Sequence, residues 1–498
     1  METIARLRGA ETKLAAQGSR DTARLGEFGC YVAGEWIKTG DAVEVRSPFD
    51  SSLVAVVHRA GPREMEAAIA LAASAFRITR KLPVWKRAEI LEKISAGIAA
   101  RRDEFAETIA LEAGKPIKTA RLEVDRAVFT FKVAAEESKR IYGEVVPLDW
   151  IPGTEGREAQ VRRVPLGPVA GISPFNFPVN LVAHKVAPAL AAGNPIVLRP
   201  ASQTPISALK LAEIICDSDW PKDGFSVVPT TTQTAAPLIE DDRIRLLTFT
   251  GSPAVGWSLK SRAGRKRVTL ELGGNAGVIV HSDADLAYAA ERVVWGGFSY
   301  AGQSCISVQR VYVHADIYPA FVADVVRRVK SLKVGDPLDE TTDVGPVIDP
   351  GAAERVEAWV AEARADGATV LVGGTRSGNL FQPTVLSDLK PTMRVSCQEA
   401  FAPLLGLYRY TDIGEAITAV ENSEFGLQAG LFTNDLRIVR QAFDDIEVGG
   451  LMVNDVSTFR IDHMPYGGVK NSGIGREGLR YAIEEMSELK LLTYNYRS

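Results

Sequence analysis

The stretch Val169-Ala170-Gly171-Ile172-Ser173-Pro174-Phe175-Asn176 opens the part of the chain that decides its fold. Its first residues predict a short buried strand, and residues 179–193 that follow have the periodicity of a helix. Similar apolar runs at 195–198, 225–229, 245–250 and 268–271 alternate with helical segments at 205–217, 233–240 and 253–263. This alternation predicts βαβ units and a parallel sheet, in which ligands bind at the carboxyl ends of the strands.

Outside this region the chain shows further helices and strands. Residues 28–36 are strand-like, and helical periodicity covers residues 63–80, 84–114 and 118–140. A second α/β series is predicted from strands at 278–280, 311–313, 369–371 and 405–408. Residues 143–165 predict a hairpin that carries Trp150 and Ile151 beside prolines and glycine, so we expect this arm and the strand at 489–494 to pair with another subunit.

Composition excludes several classes of protein. The chain has 498 residues, of which 46% are hydrophobic and 24% charged, as in ordinary globular enzymes. A net charge of −4 gives no reason to expect nucleic acid as a partner. Neither a membrane-spanning run nor a secretory signal is visible. Four scattered cysteines, without a Cys-x-x-Cys pair, favour the reducing cytoplasm and predict no metal site.

Cys305 follows a glycine-containing link between a predicted helix and a predicted strand. Ser282 or Asp283 could cap the helix, and the strand would begin at Val308. Glycine lets the backbone come close to a bound group. Taken alone, this stretch fits a small buried hydrophobic residue as well as it fits a nucleophile.

Three other positions could carry chemistry at strand ends. Glu271 ends an apolar strand, where partial desolvation would raise its pKa and make it a general base, although a carboxylate capping a turn fits too. Asn176 could donate to an oxyanion or form an Asx turn. Gly251-Ser252 begins a helix whose free amides suit a phosphate, but no Gly-x-Gly-x-x-Gly fingerprint is present.

In combination and in order, these segments resemble the aldehyde dehydrogenase superfamily from about residue 28 to residue 494. The spacing between Glu271 and Cys305 also matches that family. The matching motifs are Pro174-Phe175-Asn176-Phe177-Pro178, Ala191-Ala192-Gly193-Asn194, Phe249-Thr250-Gly251-Ser252, Glu271-Leu272-Gly273-Gly274-Asn275, Gly302-Gln303-Ser304-Cys305, Glu399-Ala400-Phe401-Ala402-Pro403 and Pro465-Tyr466-Gly467-Gly468-Val469-Lys470.

The resemblance implies a mechanism and a cofactor. Cys305 would attack an aldehyde, Asn176 would hold the oxyanion, Glu271 would activate water against the thioester, and Lys185 would lie near the reacting groups. NAD or NADP would accept the hydride. The residues implied in cofactor binding are Ser173, Pro174, Phe175, Arg199, Ser202, Gly251, Ser252, Leu272, Gly273, Glu399 and Phe401.

Two departures from the family bear on the cofactor. Arg199 replaces a lysine, and Ser202 stands where members that prefer NAD often carry glutamate. Glutamate would repel a 2′-phosphate, so we expect NADP to be accepted, and dual use with NAD is consistent with the same residues. Residues 228–232 also replace a glycine-rich loop, which changes the local geometry around the cofactor.

The resemblance further implies domains and an assembly. We expect two Rossmann-like domains in an α/β fold, with the cofactor-binding domain at 28–144 and 164–272 and the catalytic domain at 273–463. Residues 1–27 would form an N-terminal arm, rich in Arg, Glu and Ala. Residues 145–163 and 484–498 would form a small β oligomerisation arm of a cytoplasmic homodimer or homotetramer.

The substrate end of the site is predicted to be polar. Positions that line the family's substrate funnel hold Arg126, Phe177, His184, Ser304, Arg460 and His463. They suggest a small anionic or hydroxylated aldehyde, such as a semialdehyde, lactaldehyde, or a phospho-, sulfo- or phosphono-aldehyde, and the motifs are most similar to the branches that oxidise such compounds. Alternatively, Arg126 and Arg460 form structural ion pairs with Glu123, Asp125 or Asp462, and His184 is a core histidine.

Three rival functions remain open. A CoA-acylating dehydrogenase would use CoA in place of water, although those branches generally lack the glutamate that Glu271 matches. A non-catalytic binding protein could keep the same fold. A Cys–His hydrolase could use His314 or His463, but no motif supports it.

Overall fold

The computed structural model describes residues 23–496. The predicted N-terminal arm therefore lies outside the described residues as far as residue 22. Within the described part, none of the helices has both the length and the apolar character needed to cross a bilayer.

An N-terminal group of short strands and long helices precedes the first βαβ series. The strands are β1 (Glu27–Phe28), β2 (Cys30–Val32), β3 (Glu35–Ile37), β4 (Ala42–Arg46) and β5 (Leu53–His58), and the helices are α1 (Pro62–Thr79), α2 (Val84–Ala100), α3 (Arg102–Ala113) and α4 (Ile117–Ser138). The strand-like run predicted at residues 28–36 is thus interrupted at Ala33 and Gly34, which both have positive φ angles. The periodic run at residues 84–114 is likewise divided, at Arg101.

The predicted βαβ series is confirmed. It consists of β8 (Val169–Ile172), α5 (Asn180–Ala192), β9 (Ile196–Arg199), α6 (Ile206–Cys216), β10 (Phe225–Val227), α7 (Ala236–Glu240), β11 (Leu246–Thr250), α8 (Pro253–Arg262) and β12 (Arg267–Glu271). A short 3₁₀ turn, Lys222–Gly224, precedes β10. The strands β8 to β12 pair in parallel because each apolar run is followed by a helix that returns the chain to the same edge.

The strand order in this sheet creates a place for a ligand. The order is β12-β11-β8-β9-β10-β2-β3, with β24 (Gly473–Ile474) antiparallel beside β12. Between β8 and β11 the direction of chain progression reverses, so the loops after these two strands diverge and leave a crevice. Asn176 follows β8 and Gly251 follows β11.

The second series forms a sheet of its own, as predicted. Its order is β15-β18-β19-β14-β13-β21-β22, parallel except between β15 and β18. The elements are β13 (Ala276–Val280), α9 (Leu286–Phe298), β14 (Val308–His314), α10 (Tyr318–Lys330), α11 (Pro350–Ala365), β15 (Thr369–Val372), β16 (Arg376–Ser377), β17 (Leu380–Phe381), β18 (Thr384–Ser387), α12 (Arg394–Cys397), β19 (Leu404–Tyr410), α13 (Ile413–Glu421), β20 (Phe425–Gly426), β21 (Gln428–Phe432), α14 (Leu436–Asp445), β22 (Gly450–Val453) and β23 (Val469–Lys470).

The helix cap expected before α9 is corrected. The carboxylate of Asp285 accepts the N–H of Tyr288 and caps the helix, whereas Asp283 binds Thr433 and Asn434 after β21. Several neighbouring polar residues could cap this helix, and the cap is the residue whose carboxylate reaches an amide of the first turn.

The predicted hairpin and C-terminal strand form a separate small sheet. Strands β6 (Glu144–Pro147) and β7 (Arg157–Pro165) pair antiparallel, and after α15 (Leu479–Glu485) the strand β25 (Ser487–Asn495) pairs along the whole of β7. The loop between β6 and β7 leaves Trp150 83% exposed, and β25 leaves Leu491 59% exposed. Exposed apolar side chains on this hairpin and strand are typical of an interaction surface.

A buried ion pair fixes the start of α5. Lys115 and Glu123 are fully buried and bonded to each other. The Glu123 carboxylate also accepts the N–H groups of Val179 (3.0 Å) and Asn180 (3.2 Å) at the helix start. These bonds offset the cost of taking the two charges out of water.

Breaking this pair should destabilise the protein strongly. Glu123→Ala leaves the Lys115 ammonium buried without a counter-charge, so the free energy of unfolding should fall by about 3–5 kcal/mol in urea titrations. The control is Asp125→Ala on the same helix, which breaks an exposed pair with Arg102 and should cost no more than about 1 kcal/mol. Adding Lys115→Met to Glu123→Ala should recover part of the lost free energy of unfolding, because the unpaired charge is removed. Equal losses of stability in Glu123→Ala and Asp125→Ala would contradict this account.

Candidate active site

Cys305 follows a turn held in an unusual backbone conformation. Tyr300, Ala301 and Gly302 have φ angles of 50°, 53° and 68°, in the left-handed region that side chains disfavour. A Cβ on Gly302 would lie 2.1 Å from the carbonyl oxygen of Ala402, so only glycine fits there. The strained turn presents the half-buried Cys305 toward the crevice of the first sheet.

Side-chain anchors hold this turn from both sides. The Tyr300 hydroxyl donates to the Ala113 carbonyl at 2.9 Å. The Gln303 carbonyl Oε1 accepts the N–H of Ile348 at 2.8 Å, and its Nε2 donates to the Pro346 carbonyl at 3.3 Å. The position of the thiol is therefore set by residues distant in sequence.

Asn176 lies against the same turn. Its Nδ2 donates to the carbonyl oxygen of Gln303 at 3.0 Å, and its Oδ1 is buried without a hydrogen-bond partner among the described residues. The loop after β8 thus brings an amide donor beside the backbone that leads to Cys305.

Glu271 ends β12 inside the protein. Both carboxyl oxygens are buried, and neither has a hydrogen-bond partner among the described residues. Gly467 packs against it, because a Cβ there would lie 2.9 Å from Oε1. Burial, and then the negative charge of Glu477, raise the pKa of Glu271 well above its usual value.

Lys185 and Glu477 form a second charged layer behind Glu271. The Lys185 ammonium donates to Thr250 at 2.7 Å and to Thr248 at 3.2 Å, and it lies 3.6 Å from a Glu477 oxygen. Burial lowers the pKa of Lys185. Burial alone would raise the pKa of Glu477, but the positive charges of Lys185 and Arg460 lower it.

Glu399, in the loop between α12 and β19 of the second α/β series, contacts the glycines that follow Glu271. Its Oε1 accepts the N–H of Gly274 at 2.8 Å, and burial raises its pKa to about 7. A Cβ on Gly273 would lie 2.5 Å from the other Glu399 oxygen, and one on Gly274 would lie 2.2 Å from the Cys305 carbonyl oxygen. Both glycines are therefore required for this close approach.

The residues predicted to bind the cofactor gather at the carboxyl edge of the first sheet. Arg199 is the last residue of β9, and the others follow the ends of strands: Ser173, Pro174 and Phe175 after β8, Ser202 after β9, Gly251 and Ser252 after β11, and Leu272 and Gly273 after β12. The Phe401 ring meets the Phe175 ring edge-on at 5.8 Å across the crevice.

This edge fits a dinucleotide. Helix α8 begins without a side-chain cap, and Ala254 and Val255 in its first turn are exposed, so their amides are open to a phosphate. Arg199 donates to the Thr230 carbonyl from Nε and Nη2, both at 3.3 Å, and no bond from its Nη1 is seen among the described residues. Ser202 is exposed three residues further on.

Asp462 organises the residues predicted to bind substrate. It accepts Arg126 at 2.7 Å, His184 Nε2 at 2.8 Å and Asn180 at 3.1 Å. Burial alone would raise the pKa of Asp462, but the bonds from His184 and Arg126 hold it well below its usual range. The ion-pair alternative for Arg126 is therefore realised, with Asp462 as its partner.

Arg460 and His184 complete this cluster. Arg460 pairs with Glu477 at 2.9 Å and stacks on the Tyr466 ring at 3.6 Å, while its Nε is buried without a partner among the described residues. His184 is buried, and its Nδ1 likewise lacks a partner in the described part of the chain. Burial, and then Arg460, lower the pKa of His184, so the neutral ring donates from Nε2.

The other predicted substrate residues lie around this cluster. The Phe177 ring lies under the Lys115 ammonium at 3.7 Å, Ser304 is half-buried next to Cys305, and His463 is exposed with its ring 6.0 Å from that of Phe129.

Sequence reasoning missed the contacts of Tyr466 and Glu477, and it considered Asp462 only as an ion-pair partner of arginine. The Tyr466 hydroxyl lies 3.0 Å from the Cys305 sulfur. Tyr466 sits inside a quoted family motif, and Glu477 is a carboxylate in a glycine-rich stretch, so both carried a weak local signal. Neither signal shows which distant group the side chain meets.

The fold and this group of residues define an α/β enzyme with a nucleotide-type sheet and a thiol at its crevice. The model for the aldehyde dehydrogenase family matches residues 36–492, and the chain belongs to that family.

Individual relatives cover nearly the whole chain. A 3-sulfolactaldehyde dehydrogenase of Priestia megaterium is 47% identical over 470 residues, 94% of this chain and 98% of the relative. The structure of aldehyde dehydrogenase 21 from Physcomitrella patens with the reaction product succinate has a TM-score of 0.93 and 43% identity, and covers 95% and 99% of the two chains. Glyceraldehyde-3-phosphate dehydrogenase of Methanocaldococcus jannaschii complexed with NADP has a TM-score of 0.89, 39% identity, and coverage of 92% and 100%.

Proposed function

We propose that this aldehyde dehydrogenase oxidises a small anionic or hydroxylated aldehyde to its carboxylate, with NADP or NAD as hydride acceptor and Cys305 as nucleophile. One observation carries the proposal: among the described residues, buried polar atoms of Asn176, Glu271, His184 and Arg460 lack hydrogen-bond partners. Asn176 bonds the backbone just before Cys305, and Glu271 and Arg460 lie close enough to act on its thiol. Unpaired buried polar groups are costly unless a ligand or water satisfies them.

In the first step the Cys305 sulfur bonds to the aldehyde carbon and the carbonyl oxygen becomes an oxyanion. Glu271, in its carboxylate form, takes the thiol proton. The second Nδ2–H of Asn176, the one not donated to Gln303, holds the oxyanion together with the Cys305 N–H. When the oxyanion collapses, the carbon loses its hydride and a thioester remains on Cys305. The oxidised nicotinamide supplies the acceptor for that hydride, and it would be held by Glu399, Phe401 and the crevice after β8 and β11.

In the second step water attacks the thioester. Glu271, after releasing the thiol proton to solvent, removes a proton from this water as the oxygen bonds to the carbonyl carbon. The C–S bond then breaks and the Cys305 thiolate leaves. Overall an aldehyde and water yield a carboxylate, a transferred hydride and two protons. Lys185 and Glu477 are placed to balance the charge of Glu271 as it gains and loses its proton.

Cys305→Ala should abolish the formation of reduced nicotinamide, whereas Cys397→Ala, which removes an exposed thiol, should leave it unchanged.

Glu271→Gln should release at most one reduced cofactor per subunit and then stop, with a thioester visible by intact-mass spectrometry.

Because Glu271 acts as a base only when deprotonated, and its pKa is raised, the wild-type rate should increase with pH through a pKa above that of an ordinary glutamate.

CoA separates this mechanism from the CoA-acylating alternative. With water as the acceptor, added CoA should leave the steady-state rate unchanged and form no acyl-CoA. A CoA-dependent rise in turnover of the wild-type enzyme would contradict the role given to Glu271.

The cofactor proposal rests on Arg199 and Ser202 at the end of β9. Ser202→Glu should place a carboxylate where a 2′-phosphate would lie, and should lower kcat/KM with NADP at least tenfold through like-charge repulsion while changing that with NAD little. Gln203→Glu adds the same charge at the next exposed residue and serves as control. A wild-type enzyme that strongly favours NAD would contradict the proposal.

Two lines support a small, polar or anionic substrate. The relatives carry the names of sulfolactaldehyde and glyceraldehyde-3-phosphate dehydrogenases, and the Physcomitrella patens enzyme was seen with succinate. In this chain Arg126 uses Nε and Nη2 on Asp462, so Nη1 remains free to donate to a carboxylate, sulfonate or phosphate.

Arg126→Gln should raise KM for an anionic aldehyde such as succinate semialdehyde by about tenfold or more, since a charge-assisted bond is lost. KM for propionaldehyde, which lacks the anionic tail, should change far less. Arg102→Gln, which removes an exposed arginine paired with Asp125, is the control. Equal increases for both aldehydes would show that Arg126 acts on the fold and not on the tail.

The assembly and the domain roles also stay proposals. The apolar edge that carries Trp150 and Leu491 supports a homodimer or homotetramer, and light scattering of the purified protein decides between them. The predicted roles of 28–144 with 164–272 in cofactor binding, of 273–463 in catalysis, and of 145–163 with 484–498 in assembly follow the sheets described above. The cytoplasmic location expected from the cysteines is untested.

A further inference from the structure

Tyr466 places a phenolic hydroxyl on the sulfur of Cys305. The two atoms are 3.0 Å apart, and Tyr466 is only 3% exposed. Ile306 and Leu427 pack around the pair and keep the surroundings apolar. In such surroundings a hydrogen bond to sulfur is stronger than it would be in water.

The position of this hydroxyl is fixed by a closed set of contacts. The backbone of Tyr466 forms two hydrogen bonds with that of Glu477, at 3.1 and 2.6 Å. The Glu477 carboxylate binds Arg460 at 2.9 Å, and the Arg460 guanidinium returns to stack on the Tyr466 ring at 3.6 Å. Because every link is buried, the ring cannot turn its hydroxyl away from the sulfur without breaking one of them.

We propose that Tyr466 is a further catalytic residue, whose hydroxyl donates a hydrogen bond to the Cys305 thiolate and favours its formation. The stacked Arg460 cation draws electron density from the ring and makes the phenol a stronger donor. This inference rests on the proposed role of Cys305 as nucleophile.

The ionisation of the two groups supports the direction of the bond. Burial raises the pKa of Tyr466 well above its usual value, so the phenol keeps its proton. Burial also raises the pKa of Cys305 to about 12, and the bond from Tyr466 is the largest contribution that opposes this. A half-buried thiol in these surroundings therefore becomes more reactive when it accepts a hydrogen bond from a donor of this kind.

The opposite bond, in which the thiol donates to the phenol oxygen, would have the opposite effect. It would stabilise the protonated thiol, and its loss would make the sulfur more reactive. The two arrangements are therefore distinguished by the sign of one measurement.

Tyr466→Phe removes only the hydroxyl and keeps the stacked ring. In the enzyme without cofactor or substrate, at a fixed pH below the thiol pKa, iodoacetamide should alkylate Cys305 about three- to tenfold more slowly in this variant. Peptide mass spectrometry counts Cys305 apart from the exposed Cys397. Tyr410→Phe removes another buried hydroxyl, which meets His281 in the second sheet, and should leave the rate unchanged.

A fluorinated tyrosine at position 466 has a more acidic hydroxyl and is a stronger hydrogen-bond donor. In that variant iodoacetamide should alkylate Cys305 faster than in the wild type, which tests the proposal even if the Tyr466→Phe variant is unstable. Equal or faster alkylation of folded Tyr466→Phe overturns the proposal. The two proposals can fail separately. If the Cys305→Ala enzyme stays active, Cys305 is not the nucleophile. If Cys305 is essential but its alkylation rate is the same in Tyr466→Phe and the wild type, only the role of Tyr466 is refuted.

Discussion

The Lys115–Glu123 ion pair connects the two loops on which the active site depends. The Lys115 ammonium lies 3.7 Å from the centre of the Phe177 ring and 4.3 Å from that of Tyr300. Phe177 directly follows Asn176, and Tyr300 belongs to the strained turn before Cys305. One buried cation therefore fixes the spacing between the amide donor and the thiol, and Glu123 supplies its counter-charge while holding the start of α5.

A second constraint is that Glu271 and Glu477 are buried in one pocket yet have opposite tendencies to ionise. Glu477 is surrounded by Lys185 and Arg460, whose charges favour its anionic form. Glu271 has no hydrogen-bond partner in the described part of the chain and faces the negative Glu477, so its neutral form is favoured. Environments that push two pKa values apart separate the tasks of two carboxyl groups, which supports the proposal that Glu271 exchanges a proton while Glu477 keeps its charge.

Sequence patterns predicted most of the fold and also named the residues proposed to react, for different physical reasons. The βαβ series was visible because each strand is a short apolar run next to a helix. Asn176, Glu271 and Cys305 were found because family motifs surround them. Tyr466 was not assigned a role, because its partner Cys305 lies 161 residues away and no local pattern encodes that contact. Asp462 was considered only as a structural partner of arginine. Its carboxylate binds both Arg126 and His184, and that contact exists only because three segments distant in sequence meet in the fold.

The charge balance of the pocket favours an anionic substrate. Arg126, Arg460 and Lys185 are cations, and only Asp462 and Glu477 are carboxylates that favour the anionic form, since Glu271 favours the neutral one and burial keeps His184 uncharged. Cationic side chains at the site therefore outnumber the carboxylates that favour the anionic form, and uncompensated charge away from water is costly. A carboxylate, sulfonate or phosphate on the substrate would neutralise it, whereas a neutral aldehyde of the same size would not. On this argument, selectivity comes from an incomplete set of ion pairs that the substrate's anionic group completes.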